Sequence, residues 1–143
     1  MFQNNWDYLV KMRKYYAVIN GTLDNKEDTI KNYLVENDKS FMVYSTNNKK
    51  EGKLSITDYK VLKENKDYSL LDINIRTGRK NQIRVTFKDL GTPIVGDKKY
   101  GDGKSPIKRM ALHQYKIELI DPRDNKKKVF KTEMPTSFKK LIK

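Results

Sequence analysis

The sequence predicts an α+β fold: a mixed, mainly antiparallel sheet with a few short helices. Three observations carry this. Stretches rich in β-branched and aromatic residues recur along the chain, most of them bounded by turn signals. Two pairs of such stretches are joined by short turns, Asn65–Asp67 and Asp121–Asn125, as in antiparallel hairpins. Helical spacing of apolar residues is confined to short windows.

In chain order, Phe2, Trp6 and Leu9 share one helical face, so residues 1–11 are expected to form a short helix docked on the body. Arg13–Ile19 reads as a strand that ends at the Asn20-Gly21 turn. Asp24–Asn37 is polar, and Ile30, Tyr33 and Leu34 give only a weak helical or irregular turn. Phe41–Ser45 is a short strand and Thr46–Gly52 a solvated loop. Leu54–Lys63 alternates as a strand, straight or bent, and Tyr68–Ile75 is its antiparallel partner, with Leu71, Ile73 and Ile75 on one face.

Arg76–Tyr100 is the stretch on which the rest is organised. Gly78 can take backbone conformations closed to other residues. Within six positions follow Arg79, Lys80, Asn81, Gln82 and Arg84, and Arg is the side chain best shaped for a two-pronged grip on phosphate or carboxylate. Ile83, Phe87 and Leu90 have helical spacing, while Ile83, Val85 and Phe87 alternate as in a strand. Gly91, at the position of a helix C-terminal cap, favours the helix. Gly91–Asp97 carries three breakers and must be a shaped loop, and Gly101–Ser105 is another. Arg109–Ile120 alternates as a strand, Asp121–Asn125 turns, and Lys127–Lys131 returns. Pro135-Thr136-Ser137 is expected to cap a last helix, Phe138–Ile142. Neither repeats nor low-complexity linkers interrupt residues 1–143, which read as a single domain.

The charge balance points to a partner. Thirty-one Lys and Arg against eighteen Asp and Glu give +13, which favours a nucleic acid over a merely soluble lysine-rich surface. An acidic membrane surface ranks third, because no basic amphipathic helix stands out. The absence of Cys excludes disulfides, thiolate zinc sites and cysteine nucleophiles, and a single His argues against a histidine metal site. The sequence has neither a long apolar run nor a secretory apolar region, so a cytoplasmic location without membrane contact is expected.

TGRKNQIRV, followed by LGTPIVGDKKYG, resembles the TGR-x-H-Q-I-R-V-H and G-x-P-I-x-G-D-x-x-Y-G signature of the RluA family of pseudouridine synthases, with Asn81 where the family usually has His. A match this long and mixed is specific. The Arg-x-Tyr-x-Ala pattern at residues 13–17, with Gly21 beyond it, is similar to the family's K-x-Y-x-A strand, and the closing portion also resembles the family's ending. The resemblance implies the corresponding part of the synthase fold and an RNA substrate, ribosomal RNA first and transfer RNA second. It also implies isomerisation of uridine without metal or other cofactor.

Carried over position by position, the resemblance places Tyr15 on the active-site tyrosine and Arg84 on the arginine that pairs with a nucleophilic Asp. Leu112 falls near the residue that packs the base. Arg76, Thr77, Gly78, Arg79, Lys80, Asn81 and Gln82 are the expected RNA contacts, with Arg79 and Lys80 on phosphates. Pro93, Ile94, Gly96, Asp97 and Tyr100 form the active-site loop, in which Asp97 is structural or faces RNA rather than acting as nucleophile. A lone His in an alternating strand is more often structural than basic catalyst, and His113 is read that way.

One departure matters. The family's nucleophile lies in a G-R-L-D-x-x-T-S-G motif upstream of the tyrosine strand, and the twelve residues before Arg13 contain nothing like it. The expectation is therefore the C-terminal part of a synthase, inactive alone, with Met1 an internal methionine, an artificial boundary or the mark of a broken frame. Strand edges exposed by the loss would favour self-association. The rival reading is a non-catalytic RNA-binding module that kept the arginine cradle. Both predict salt-sensitive RNA binding, with a slope of roughly −3 to −5 against log salt for about 4–6 phosphate contacts. Both also predict a preference for loops and bulges, from which a uridine can be flipped.

Overall fold

In a computed structural model that describes residues 10–143, the sheet is assembled around β1 (Val10–Asn20), which pairs on one side with β5 (Tyr68–Ile75) and on the other with β6 (Leu112–Asp121). β2 (Glu27–Glu36), β3 (Val43–Thr46) and β4 (Lys53–Glu64) extend it beyond β5, and β7 (Lys126–Lys131) closes the far edge. The order is β3-β2-β4-β5-β1-β6-β7, and every strand pairing among the described residues is antiparallel. The expected fold class is what is found. Two helices, α1 (Gln82–Asp89) and α2 (Thr136–Leu141), cover opposite faces.

The sheet needs both covers because its central strands are apolar on both sides. Along β1, Ala17, Val18 and Ile19 are all fully buried in succession. Ala17 and Ile19 pack with Leu71, Ile73 and Ile75 of β5 against Ile83 and Phe87 of α1. Val18 points the other way and meets Leu70, Ala111, the α2 residues Phe138 and Leu141, and Ile142 just beyond them. Phe138 is fully buried, so its truncation to Ala would cost about 3–5 kcal/mol. Beyond Ala17, the free side of β1 pairs with the loop after α1: the Val95 N–H donates to the Val18 carbonyl (2.9 Å) and the Asn20 N–H to that of Pro93 (2.9 Å). This fixes the shaped loop to the middle of the sheet.

Most predicted elements lie where the sequence puts them, including α1, which ends at Leu90 with Gly91 at φ 82. Four differ. Residues 24–37, expected to be weakly helical or irregular, contain the ten-residue strand β2. Its face toward α1 alternates Ile30, Asn32 and Leu34, and the polar middle residue breaks the apolar signature that β2 regains only by pairing with β3 and β4. The strand expected from Arg109 begins at Leu112, because Lys108 takes a left-handed backbone (φ 59) and residues 109–111 are held by the Val95 loop. The last helix lacks the expected side-chain cap: Pro135 is its N-cap residue, and Thr136 and Ser137 lie within the first turn. The helix proposed over residues 1–11 falls mainly outside the described residues, and Val10 and Lys11 belong to β1.

Candidate active site

The site is built where β5 hands the chain to α1. Gln82 makes that junction rigid. It is 2% exposed, and its amide nitrogen donates to the Ile56 carbonyl (3.0 Å) and the Thr57 hydroxyl (2.9 Å) of β4. Its amide oxygen accepts from the Thr77 hydroxyl (2.9 Å) and the Arg79 N–H (3.1 Å). Gln82 and Thr77, expected among the RNA contacts, are thus bound inward and brace the turn. The Arg13 guanidinium lies over Gly78, 2.4 Å from where a Cβ would be, so a side chain there would displace it.

Asn81 sits just before α1 in the left-handed region (φ 56), which Asn and His both enter more readily than most residues. This gives a physical reason why Asn can stand where the sequence signature has His. Its side chain does not cap the helix. Instead its amide donates to the Tyr100 hydroxyl (3.2 Å), and its oxygen faces Arg84 Nη1 at 3.4 Å.

Arg84, one turn into α1, grips Asp97 with two prongs: Nε to Oδ2 at 2.9 Å and Nη2 to Oδ1 at 2.7 Å. The same carboxylate accepts the backbone N–H groups of Lys99 and Tyr100, each at 3.0 Å, and its side chain is fully enclosed. Burial pushes the Asp97 carboxyl up, but the hydrogen bonds from Arg84, Tyr100 and Lys99 and the guanidinium charge outweigh it and hold the group below the usual aspartate range. The hydrogen bonds to Asp97 in turn raise Arg84, against a smaller desolvation effect. The guanidinium also lies over the Tyr100 ring, 5.1 Å from its centroid. Asp97 therefore works as the keystone of the loop, and its carbonyl accepts from Gly101 and Gly103 as well.

In front of this pair opens a cleft of about 560 Å³, lined by Arg84, Gly96, Lys98, Gly103, Ser105, Lys108, Arg109 and Met110. Among the described residues that line it, four side chains are cationic and none is acidic. Gly96 (φ 81) shapes the wall, because a Cβ there would sit 2.4 Å from the Arg109 carbonyl oxygen. Met110 lines the cleft and packs against the core cluster that Tyr15 and Leu112 also flank, and Arg109 Nη2 donates to the Leu112 carbonyl (3.1 Å), which ties the cleft wall to the start of β6. Tyr15 and Leu112 stand on one face, diagonally across β1 and β6: Tyr15 is opposite Gln114, and Ala17 opposite Leu112. Burial pushes the Tyr15 phenol up despite the nearby Arg13, so it remains a neutral hydroxyl at physiological pH.

The structure thus brings Arg84, Gly96, Asp97 and Tyr100 together, with Pro93 and Ile94 serving as the anchor to β1, while Tyr15 and Leu112 pack on the core cluster that Met110 also flanks. It sends others elsewhere. Arg76 pairs with Asp58 (2.8 Å) and lines a separate cleft with Lys14 and Asp72. Arg79 donates to the Leu54 carbonyl (2.9 Å) and, with Lys80, lines a third cleft beside β2 and β3. His113 bonds the Thr132 hydroxyl (2.8 Å) and is not among the cleft-lining residues. Sequence reasoning missed Lys98, Ser105, Lys108 and Arg109. Their only signal was a Gly-Lys loop flanked by further basic residues.

Comparison with known proteins places the chain among relatives. Residues 2–89 match the family described as RNA pseudouridylate synthase. The chain is 35% identical over 126 residues to ribosomal large subunit pseudouridine synthase D of Borreliella burgdorferi, covering 87% of this chain and 38% of that protein. It is 31% identical over 134 residues to ribosomal large subunit pseudouridine synthase C of Rickettsia prowazekii, covering 92% and 44%. Human RNA pseudouridylate synthase domain containing 1 superposes with a TM-score of 0.77 at 26% identity, over 92% of this chain and 58% of that one. The chain spans about two fifths of the length of these two curated relatives.

Proposed function

The chain belongs to the RNA pseudouridylate synthase family, in its RluA type, and from that premise we propose that it forms the arginine-and-tyrosine half of a site that isomerises uridine in structured RNA, ribosomal RNA first and transfer RNA second. The observation that carries the proposal is the cleft itself. Arg84 is held at its wall by two hydrogen bonds to Asp97, three more cations line it, and Met110 joins it to the core cluster that Tyr15 and Leu112 flank.

In the reaction, the N1–C1′ bond of uridine breaks, the uracil turns, C5 bonds to C1′, and C5 gives up its hydrogen while N1 gains one. Nothing is oxidised or reduced. The cations of the cleft would hold the phosphates on either side of a flipped nucleotide. Leu112 and Met110 would pack the uracil face, and Tyr15, kept as a neutral phenol, would border the base with a hydrogen-bonding edge. The nucleophilic carboxylate is the missing component: none of the described residues that line the cleft is acidic, and Asp97 is tied by four hydrogen bonds to Arg84 and the loop. We propose that a segment other than the described cleft lining supplies that carboxylate, and that the site of action is the cytoplasm.

A second reading has one observation in its favour. Arg84 is already neutralised by Asp97, as it would be in a non-catalytic RNA-binding module. Tritium release from RNA labelled at uracil C5 separates the readings. The chain alone is expected to bind this RNA in a salt-dependent manner without releasing tritium. Release appears when a polypeptide carrying the G-R-L-D segment is added in trans, and no release under that condition favours the binding module. Release by the chain alone would overturn the half-site proposal.

The sheet edges bear on self-association. Edge strand β7 carries Lys126, Lys127, Lys128 and Lys131 around the exposed Val129 and Phe130. Lysines of this kind oppose edge pairing until salt screens them. Self-association through β7 is therefore expected to grow with ionic strength, and a monomeric mass by light scattering at every salt concentration would remove it.

A further inference from the structure

Four non-glycine residues among those described have positive φ: Asn81, Lys108, Asn125 and Phe41. For a bulky residue such as Phe41 (φ 57), the left-handed region is a genuine outlier, and such strain persists only where the surroundings impose it. Burial does not compensate here, because the ring is 59% exposed. The loop around it is firmly constructed. The Asn37 side chain accepts the N–H groups of Lys39 (2.9 Å) and Ser40 (3.0 Å), and Phe41 N–H donates to the Asn37 carbonyl (2.9 Å).

The loop is also joined to the cleft. Lys99 Nζ donates to the Phe41 carbonyl (3.0 Å), and two residues on, the Val43 N–H donates to the hydroxyl of Tyr100 (2.8 Å), the ring on which Arg84 lies. Lys80 Nζ stands 5.8 Å from the Phe41 ring centroid while pairing with Glu36. A strained aromatic is thus held in water, flanked by two cations, on the rim of the loop that anchors Arg84.

We propose that Phe41 is a stacking platform for an unpaired nucleobase flanking the target nucleotide, with Lys99 taking the adjacent phosphate. Every base offers a π-face, so such a platform fixes the path of a single strand without reading its sequence. Lys99 uses one of its three protons on the loop and has others for an oxygen of the backbone. The proposal rests on the RNA reading above and extends it to a second contact away from the reacting uridine.

The test uses the 143-residue chain and a fluorescently labelled RNA stem–loop with uridines in the loop, titrated by anisotropy. Phe41→Ala and Phe41→Leu are expected to weaken Kd roughly tenfold, and Phe41→Tyr and Phe41→Trp to stay within about twofold. The salt slope of Phe41→Ala should match the unmodified chain, since no phosphate contact is lost. An abasic scan of the loop should find one position where the unmodified chain loses that same factor, and there Phe41→Ala loses nothing further. Phe41→Gly relieves the left-handed strain, so it should raise the melting temperature while weakening RNA binding. A lower melting temperature for Phe41→Gly would make Phe41 a packing residue and overturn the proposal. Unchanged binding by Phe41→Ala and Phe41→Leu, with Arg109→Ala still weakened, would refute the platform and leave the cleft intact. Failure of the unmodified chain to bind the stem–loop at low salt would overturn both.

Discussion

Replacing Asp97 by Asn keeps the shape of the side chain and removes its charge from beneath Arg84. The carboxylate is fully enclosed and receives four hydrogen bonds, two from the guanidinium and two from backbone N–H groups. Asn can still offer one oxygen, but its NH2 group must face guanidinium donors. Removing one partner of a buried pair costs about 3–5 kcal/mol, and because Arg84 keeps 21% of its surface open to the cleft, water recovers part of that, leaving roughly 2–4 kcal/mol. Urea unfolding at neutral pH should show the loss as a lower midpoint with unchanged m-value. Arg84→Met should cost a similar amount, and the double variant should fall short of the sum by about 1–2 kcal/mol. The sign of the pH dependence follows from Asp97 lying below its ordinary value of 3.8 in the folded state. Its contribution is complete above the unfolded value and is lost as pH falls through the lower folded one. The gap between the unmodified chain and Asp97→Asn should therefore be flat through neutral pH and close in acid. A cost below about 0.5 kcal/mol, or strict additivity with Arg84→Met, would refute the keystone role.

Other outcomes follow from the same geometry. Gln82→Leu strands the Thr57 hydroxyl and the Arg79 N–H near the β5–α1 junction and should destabilise by about 2–3 kcal/mol in the same unfolding assay. Gly96→Ala forces a Cβ against the Arg109 carbonyl at positive φ; a loss of at least about 2 kcal/mol is expected, together with weakened RNA binding as the cleft wall moves. Lys108→Ala combined with Arg109→Ala should make the slope of log K against log salt shallower by up to about 2, read from RNA titrations at several salt concentrations. Arg76→Ala, in the separate cleft with Asp58, should leave that slope unchanged.

Much of this protein could be read from local order. Tyr68–Ile75, with Leu71, Ile73 and Ile75 on one face and a turn before it, has strand limits that agree with the structure residue for residue, and Gly91 marked the end of α1 although alternation competed with helical spacing there. Arg84, Asp97 and Tyr15 were singled out by the resemblance of a contiguous motif and a short strand pattern to the RluA signature. The charge of +13 pointed to a polyanion without any fold. What the sequence did not hold was whatever depends on distant neighbours. β2 is a strand because β3 and β4 flank it, not because its own residues alternate cleanly. Gln82 and Arg79 sit three residues apart in a polar cluster, yet one is buried against β4 while the other faces an open cleft. Whether Arg84 meets a nucleophile or Asp97, and whether Lys108 and Arg109 share its cleft, is decided by how the loop after α1 folds back across β1. That closure joins residues far apart in the chain, and only the packed sheet holds the register that makes it.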